Sequence, residues 1–136
     1  MHYAVLRYFI GRFLSCYIEN ADLCRKGRII FMKILILNSS PRRNGNISKM
    51  LETMKQEIEC CNAEAVYVRV PELKVRPCIG CMKCRSSLRC CLPEDDAQRV
   101  LQSIRDADAL IIGAPCYWGN MPGELKVLFD RMVYGM

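Results

Sequence analysis

The apolar positions of this chain fall into short blocks of two kinds. Lys33–Asn38 (KILILN) and Ala109–Gly113 (ALIIG) are continuous apolar runs, the pattern of strands covered on both faces. Glu64–Val70 (EAVYVRV) is β-branched and alternating, which predicts a strand between them in the chain. The remaining blocks have helical spacing. Over Ile47–Cys61, residues Ile47, Met50, Leu51, Met54, Ile58 and Cys61 fall on one stripe. Pro93-Glu94-Asp95-Asp96 opens a second helix with acidic residues at its positive end, and Val100, Leu101 and Ile104 form its inner face. Pro122 starts a third, with Leu125, Leu128, Phe129 and Met132 inward. The predicted order from Met32 is strand, helix, strand, cysteine-rich loop, helix, strand, helix. Such alternation implies an α/β domain: a parallel sheet with helices on both faces.

Residues 1–31 differ in character. Tyr3, Leu6, Ile10, Phe13, Leu14 and Tyr17 recur at helical spacing, with Arg7 and Arg12 off that stripe. This describes either an amphipathic helix that docks elsewhere or an added segment ahead of a domain that begins at Met32. The expected division is therefore an extension over 1–31 and a domain over 32–136. The two arginines argue against a membrane span, and no basic n-region or small-residue cleavage site marks an export signal.

Composition narrows the function classes. The 136 residues suffice for one domain, half of them apolar and a quarter charged. The net charge of +6 is shared equally between residues 1–31 and the rest, so neither part is basic enough to argue for nucleic acid as the main partner. Ten cysteines without an export signal point to a cytoplasmic protein whose thiols are reduced. Clustered thiols in that setting lean toward metal or redox chemistry rather than disulfide staples.

Two loops leave strand ends and enter helices, the place where ligands bind in such sheets. Ser39-Ser40-Pro41-Arg42-Arg43-Asn44-Gly45-Asn46-Ile47-Ser48 is rich in hydroxyls and amides and runs into a helix N-terminus, whose free N–H groups and dipole favour a phosphate. Ser39, Asn46 and Ser48 are candidate donors, and Arg42 or Arg43 adds charge. The alternative is an ordinary loop with Ser or Asn as helix cap. The pattern is neither a P-loop nor a dinucleotide fingerprint. The second loop, Ala114-Pro115-Cys116-Tyr117-Trp118-Gly119-Asn120-Met121-Pro122, sets the only tryptophan beside a tyrosine. Two aromatics at a strand end can flank a planar ring while nearby amides read its polar edge; alternatively, Trp118 packs a core edge. An anion site on one strand and a ring site on the next describe a mononucleotide such as FMN.

SSPRRNGNIS after KILILN, PCIGCMKC, CLPEDDAQRV and DADALIIGAPCYWGNMPGELKVLFDR together resemble the flavodoxin-like, NAD(P)H-dependent FMN reductases from Met32 to about Arg131. The resemblance implies a doubly wound parallel sheet. It implies that Ser39, Arg42, Asn44, Asn46 and Ser48 hold the FMN phosphate, and that Pro115, Tyr117, Trp118, Gly119 and Asn120 contact the ribityl chain and ring. It also implies hydride transfer from a nicotinamide to flavin, then electron transfer to a small-molecule or protein acceptor. No side chain is required as acid or base, and the flavin carries the chemistry.

Residues 77–91, PCIGCMKCRSSLRCC, place cysteines at 78, 81, 84, 90 and 91. Cys78-x2-Cys81-x2-Cys84-x5-Cys90 resembles the compact motif of the iron–sulfur flavoproteins, a branch of the same fold with a 4Fe–4S cluster near FMN. Cys91 is an alternative fourth ligand. Three readings stand together: a cluster in electron contact with flavin, a cysteine loop without metal, and a zinc site. Cys116 reads as packing; Cys16, Cys24, Cys60 and Cys61 read as inert.

A doubly wound domain of this type has five strands, about 150 residues at roughly 30 per strand–helix unit. Met32–Met136 supplies three. The expectation is a domain truncated after its third strand and the following helix, with ALIIG as an open apolar edge. A homo-oligomer would cover that edge, and FMN would bind weakly or not at all unless another chain completes the site; the alternative is a truncated, non-catalytic remnant or interaction module with a cysteine-rich metal-binding loop.

Overall fold

The computed structural model describes residues 32–132. The helical pattern read over Tyr3–Tyr17, with Cys16 and Cys24, lies outside the described residues. The elements are β1 (Lys33–Asn38), α1 (Asn46–Cys60), β2 (Glu64–Arg69), a 3-10 turn (Val70–Glu72), a short α2 (Cys84–Ser87), α3 (Asp96–Arg105), β3 (Ala109–Gly113) and α4 (Gly123–Met132). The strands form one parallel sheet in the order β2-β1-β3. Ile34 pairs with Ala65 on one side and Ala109 on the other, and Asn38 with Arg69 and Gly113.

The central strand β1 explains the two-sided core. Its side chains alternate, so Leu35 and Leu37 face α3 and α4 through Val100, Leu101, Leu125, Leu128 and Met132. Ile34 and Ile36 face α1 through Leu51 and Ile58. All four strand residues are buried, as a continuous apolar run requires. Both crossovers, α1 and the α2–α3 segment, return the chain to the same end of the sheet, so every strand finishes at one rim.

Local signals place the helices. Asp95 caps α3, accepting from Ala97 N at 3.0 Å, while Gln98 Oε1 accepts from Asp95 N at 2.9 Å, a reciprocal capping box. In α1 the buried row is narrower than the predicted stripe. Leu51 and Ile58 are buried, with Ile47 packed beside them, but Met50, Met54 and Cys61 are exposed. A step of three residues turns the helix about 60° short of a full circle, which carries this second row past the sheet. On β3, the predicted buried strand is half-buried and Ile112 is 41% exposed, because among the described residues the strand has a neighbour on one side only. No helix among the described residues is long and apolar enough to cross a membrane.

Candidate cofactor site

Three loops leave the rim at which β1, β2 and β3 end: residues 39–45, the cysteine-rich segment 73–95, and residues 114–122. The first and third are joined directly. Ser39 N donates to Gly113 O at 2.8 Å, continuing the β1–β3 ladder one residue into the loops. The predicted anion and ring loops therefore lie side by side.

The 39–45 loop is built on Asn38, a fully buried amide at the end of an apolar strand. Its Nδ2 donates to Ser48 Oγ at 3.0 Å and to Tyr67 Oη at 2.7 Å, and its Oδ1 accepts from Ser40 N at 2.9 Å. Ser48 Oγ in turn donates to Arg42 O at 2.8 Å. Ser48, expected as a phosphate donor, thus also braces the loop from the first turn of α1. Arg69 Nη2 supports Ser40 O at 3.3 Å from the next strand.

The bracing leaves the helix start open. Gly45 occupies the N-cap of α1, no side chain caps it, and the first turn carries no acidic residue. The predicted alternative of a Ser or Asn cap is thus not what the chain does. The first N–H groups of α1 keep their capacity for an anion. A Cβ on Gly45 would lie 3.1 Å from Arg42 Cβ and 3.7 Å from Ser40 Oγ, so glycine keeps this turn tight. Ser39 Oγ is buried without a hydrogen-bonding partner, an unmet polar demand beside the open helix end. Asn44, Asn46 and Arg42 are exposed. The two arginines differ: Arg43 pairs with Glu72 at 2.8 Å, whereas Arg42 has no ion-pair partner among the described residues.

The 114–122 loop presents its aromatic residues outward. Tyr117 and Asn120 form a two-bond antiparallel bridge, each N–H donating to the other's carbonyl at 2.9 Å. The turn between them has Trp118 at φ 50° and Gly119 at φ 78°. Glycine takes a left-handed conformation freely, but a tryptophan there is uncommon. The alternative that Trp118 packs a core edge is overturned, since its side chain is fully exposed and Tyr117 is 49% exposed. Pro115 is half-buried at the loop's root, and Asn120 Oδ1 accepts from Met121 N at 2.8 Å, which fixes its amide on the turn. Cys116 is exposed, which corrects its reading as packing.

The cysteine segment is tied down at both ends. Buried Arg131 of α4 donates through Nη1 to Arg76 O and to Asp95 Oδ2, each at 2.7 Å, and Arg76 N donates to Asp95 Oδ2 at 3.1 Å. Burial opposes the charge on Asp95, but hydrogen bonds from Arg76, Ala97 and Arg131 outweigh it and hold its carboxyl below the usual range. Burial likewise opposes the charge on Arg131, and Asp95 with Cys90 outweighs it. Between the ends, Gly80, Met82 and Leu88 take left-handed conformations. Cys78, Cys81 and Cys91 are exposed, and Cys84 and Cys90 half-buried. Cys81 and Cys91 Sγ lie 3.1 Å apart. Their hydrogen bond is the leading cause that lowers Cys81 and raises Cys91 from the ordinary thiol value. Among the described residues no three His, Cys, Asp or Glu are placed to hold one metal ion. The predicted set Cys78, Cys81, Cys84 and Cys90 has the donor chemistry of an iron–sulfur site, in which each thiolate binds a different iron, and all four lie on this one loop.

The family model described as NADPH-dependent FMN reductase matches residues 32–136. The chain belongs to that family. It is 35% identical over 102 residues to an iron–sulfur flavoprotein of Methanosarcina thermophila, covering 75% of this chain and 53% of that protein. It is 34% identical over 100 residues to an iron–sulfur flavoprotein of Archaeoglobus fulgidus, covering 74% and 48%. The NAD(P)H:quinone oxidoreductase from Methanothermobacter marburgensis superposes with a TM-score of 0.64 at 24% identity, over 77% of this chain and 55% of that one, which shows the shared fold. The chain spans about half the length of the curated relatives it matches.

Sequence reasoning missed Asn38, Ser40, Tyr67, Arg69 and Arg131. Two of them carried a signal. Asn38 is a polar residue closing an otherwise apolar buried run, and Arg131 falls on the inner stripe of α4 beside Leu128 and Met132.

Proposed function

We propose that residues 32–136 are the FMN-binding portion of an NAD(P)H-dependent oxidoreductase of the flavodoxin-like class, apart from the segment 1–31. The observation that carries this is the Ser39 N to Gly113 O hydrogen bond, which sets an uncapped helix start beside an outward-facing aromatic turn. The orphaned Ser39 hydroxyl, the tight Gly45 turn and the open α1 terminus fit a phosphate group. Ser39, Arg42, Asn44, Asn46 and Ser48 would hold the phosphate, with Ser48 also bracing the loop. Pro115, Tyr117, Trp118, Gly119 and Asn120 would form the wall toward the ring.

FMN, when bound, supplies hydride acceptance from the nicotinamide and electron transfer to the acceptor. The chain's own part is binding and orientation. The α1 dipole and Arg42 attract the anion. Asn38 fixes the loop by three hydrogen bonds, so little order has to be gained on binding. Tyr117 and Trp118 shield one side of a planar group from water. The acceptor is a small molecule or a protein. The thiol content suits a reducing cytoplasm. The exposed side of β3 around Ile112 suits association of two copies.

For a 4Fe–4S cluster we propose Cys78, Cys81, Cys84 and Cys90 as the thiolate ligands. The spacing and the iron–sulfur flavoprotein relatives support this set.

Titration of FMN with the purified chain, followed by flavin fluorescence, tests the cofactor site. Weak but saturable quenching, weaker still when phosphate-free riboflavin replaces FMN, is expected. Equal behaviour of FMN and riboflavin would remove the anion loop from the site.

A further inference from the structure

We propose that Cys81 and Cys91 form a reversible disulfide, making the cysteine loop a thiol–disulfide switch that responds to anionic low-molecular-weight disulfides. Spacing along the chain makes Cys90 the fourth cluster ligand and Cys91 its alternative. The folded loop instead brings Cys91 against Cys81, with their sulfurs 3.1 Å apart. A disulfide needs them at about 2.05 Å, so about one ångström of closure is required.

The surroundings suit the exchange. Both thiols are exposed, whereas Cys84 and Cys90 are half-buried. The segment holding the pair has one turn of helix and three left-handed residues, Gly80, Met82 and Leu88, so little packing opposes a small displacement. Its ends are pinned by Arg131, Arg76 and Asp95, which confines the movement to the loop. Lys83, Arg85 and Arg89 lie between the two cysteines with no acidic residue among them, which favours an anionic reagent such as glutathione disulfide.

The chemistry balances as two exchanges. One thiol of the pair, as its thiolate, attacks a sulfur of the small disulfide and expels one small thiolate. The second thiol then attacks the mixed disulfide and expels the other. Two protein thiols are oxidised, the small disulfide is reduced to two thiols, and the two protein protons end on them. Cys81 belongs to the ligand set proposed above, so the bridged form has lost one thiolate of that set.

The test uses the full chain, reduced and metal-free, treated with glutathione disulfide, alkylated and mapped by mass spectrometry. The expected result is one dominant bridge, Cys81–Cys91, reversed by dithiothreitol. In Cys91→Ser the bridge is lost and a glutathione adduct remains on Cys81. In Cys90→Ser the bridge forms as before. A dominant bridge between other cysteines, no bridge at all, or loss of bridging in Cys90→Ser but not in Cys91→Ser would overturn the proposal. These readouts need neither flavin nor cluster, so they stand or fall apart from the cofactor reading.

Discussion

Arg131 Nη1 lies 2.7 Å from Asp95 Oδ2, with the arginine side chain fully buried and the aspartate side chain 10% exposed. The same nitrogen donates to Arg76 O, so a cation from the last described helix joins the two ends of the cysteine loop. The α4 helix itself follows the aromatic loop. One element thus follows the proposed ring loop and ends with Arg131 beside Asp95 and Cys90.

Removing the cation should be costly. Arg131→Met leaves Asp95 with its charge largely buried and Arg76 O without its donor. The expected loss is about 3–5 kcal/mol, the range for breaking a buried pair from one side. Urea unfolding followed by circular dichroism measures it. The double variant with Asp95→Asn should recover part of the loss, because the stranded charge is gone. A single variant as stable as the parent would show that the pair adds nothing.

The same pair predicts an acid dependence. The carboxyl of Asp95 is held below its ordinary value, so between the native and unfolded values the unfolded chain binds more protons. Its contribution is complete above the ordinary carboxylate range near about pH 4 and is lost as the pH falls through the lowered native value. Asp95→Asn should therefore flatten the decline in urea midpoint below about pH 4 and lower stability at neutral pH. A parallel pair of pH profiles would contradict the assignment.

Gly113 sits where β3 meets both α1 and the first loop. A Cβ there would lie 2.5 Å from Leu51 Cδ1 and 2.9 Å from Ile47 Cγ2. Gly113→Val should cost about 1–3 kcal/mol through overpacking. It should also weaken FMN binding, because pushing β3 from α1 strains the bond from Ser39 N to Gly113 O. Thermal unfolding and the flavin titration check the two effects separately.

Much of this architecture was legible because β1 is covered on both faces. KILILN had to be a central strand, and the alternating blocks around it then had to be parallel. The proximity of the two ligand loops followed from those strand ends. What did not follow was the use of individual polar groups. Ser48 and Ser39 look equivalent in the sequence, yet Ser48 is tied to Arg42 O and Asn38 while Ser39 Oγ has no partner. Cys90 and Cys91 are neighbours, yet Cys91 Sγ meets Cys81 and Cys90 lies beside Arg131. Tertiary contacts decide such choices, and neither periodicity nor spacing contains them. Met50 and Met54 misled for a related reason: helical spacing identifies a stripe but not the width of the sheet beneath it.

The cofactor reading makes a paired prediction on Arg42, Arg43 and Trp118. Arg43 is engaged by Glu72, while Arg42 is exposed with no ion-pair partner among the described residues, so the two should separate although adjacent. Arg42→Ala should weaken FMN binding and reduce its salt dependence, with riboflavin affected little, because the lost attraction acts on the phosphate. Arg43→Ala should do less. Trp118→Ala should weaken FMN and riboflavin alike, by roughly fivefold if the indole contributes an ordinary aromatic contact. Stability should stay within about 0.5 kcal/mol of the parent, since the side chain is fully exposed. Fluorescence titrations with both ligands at two salt concentrations separate the outcomes. If Trp118→Ala left both affinities unchanged, the outward tryptophan would serve something other than the flavin, and the ring half of the site would have to be sought elsewhere on the rim.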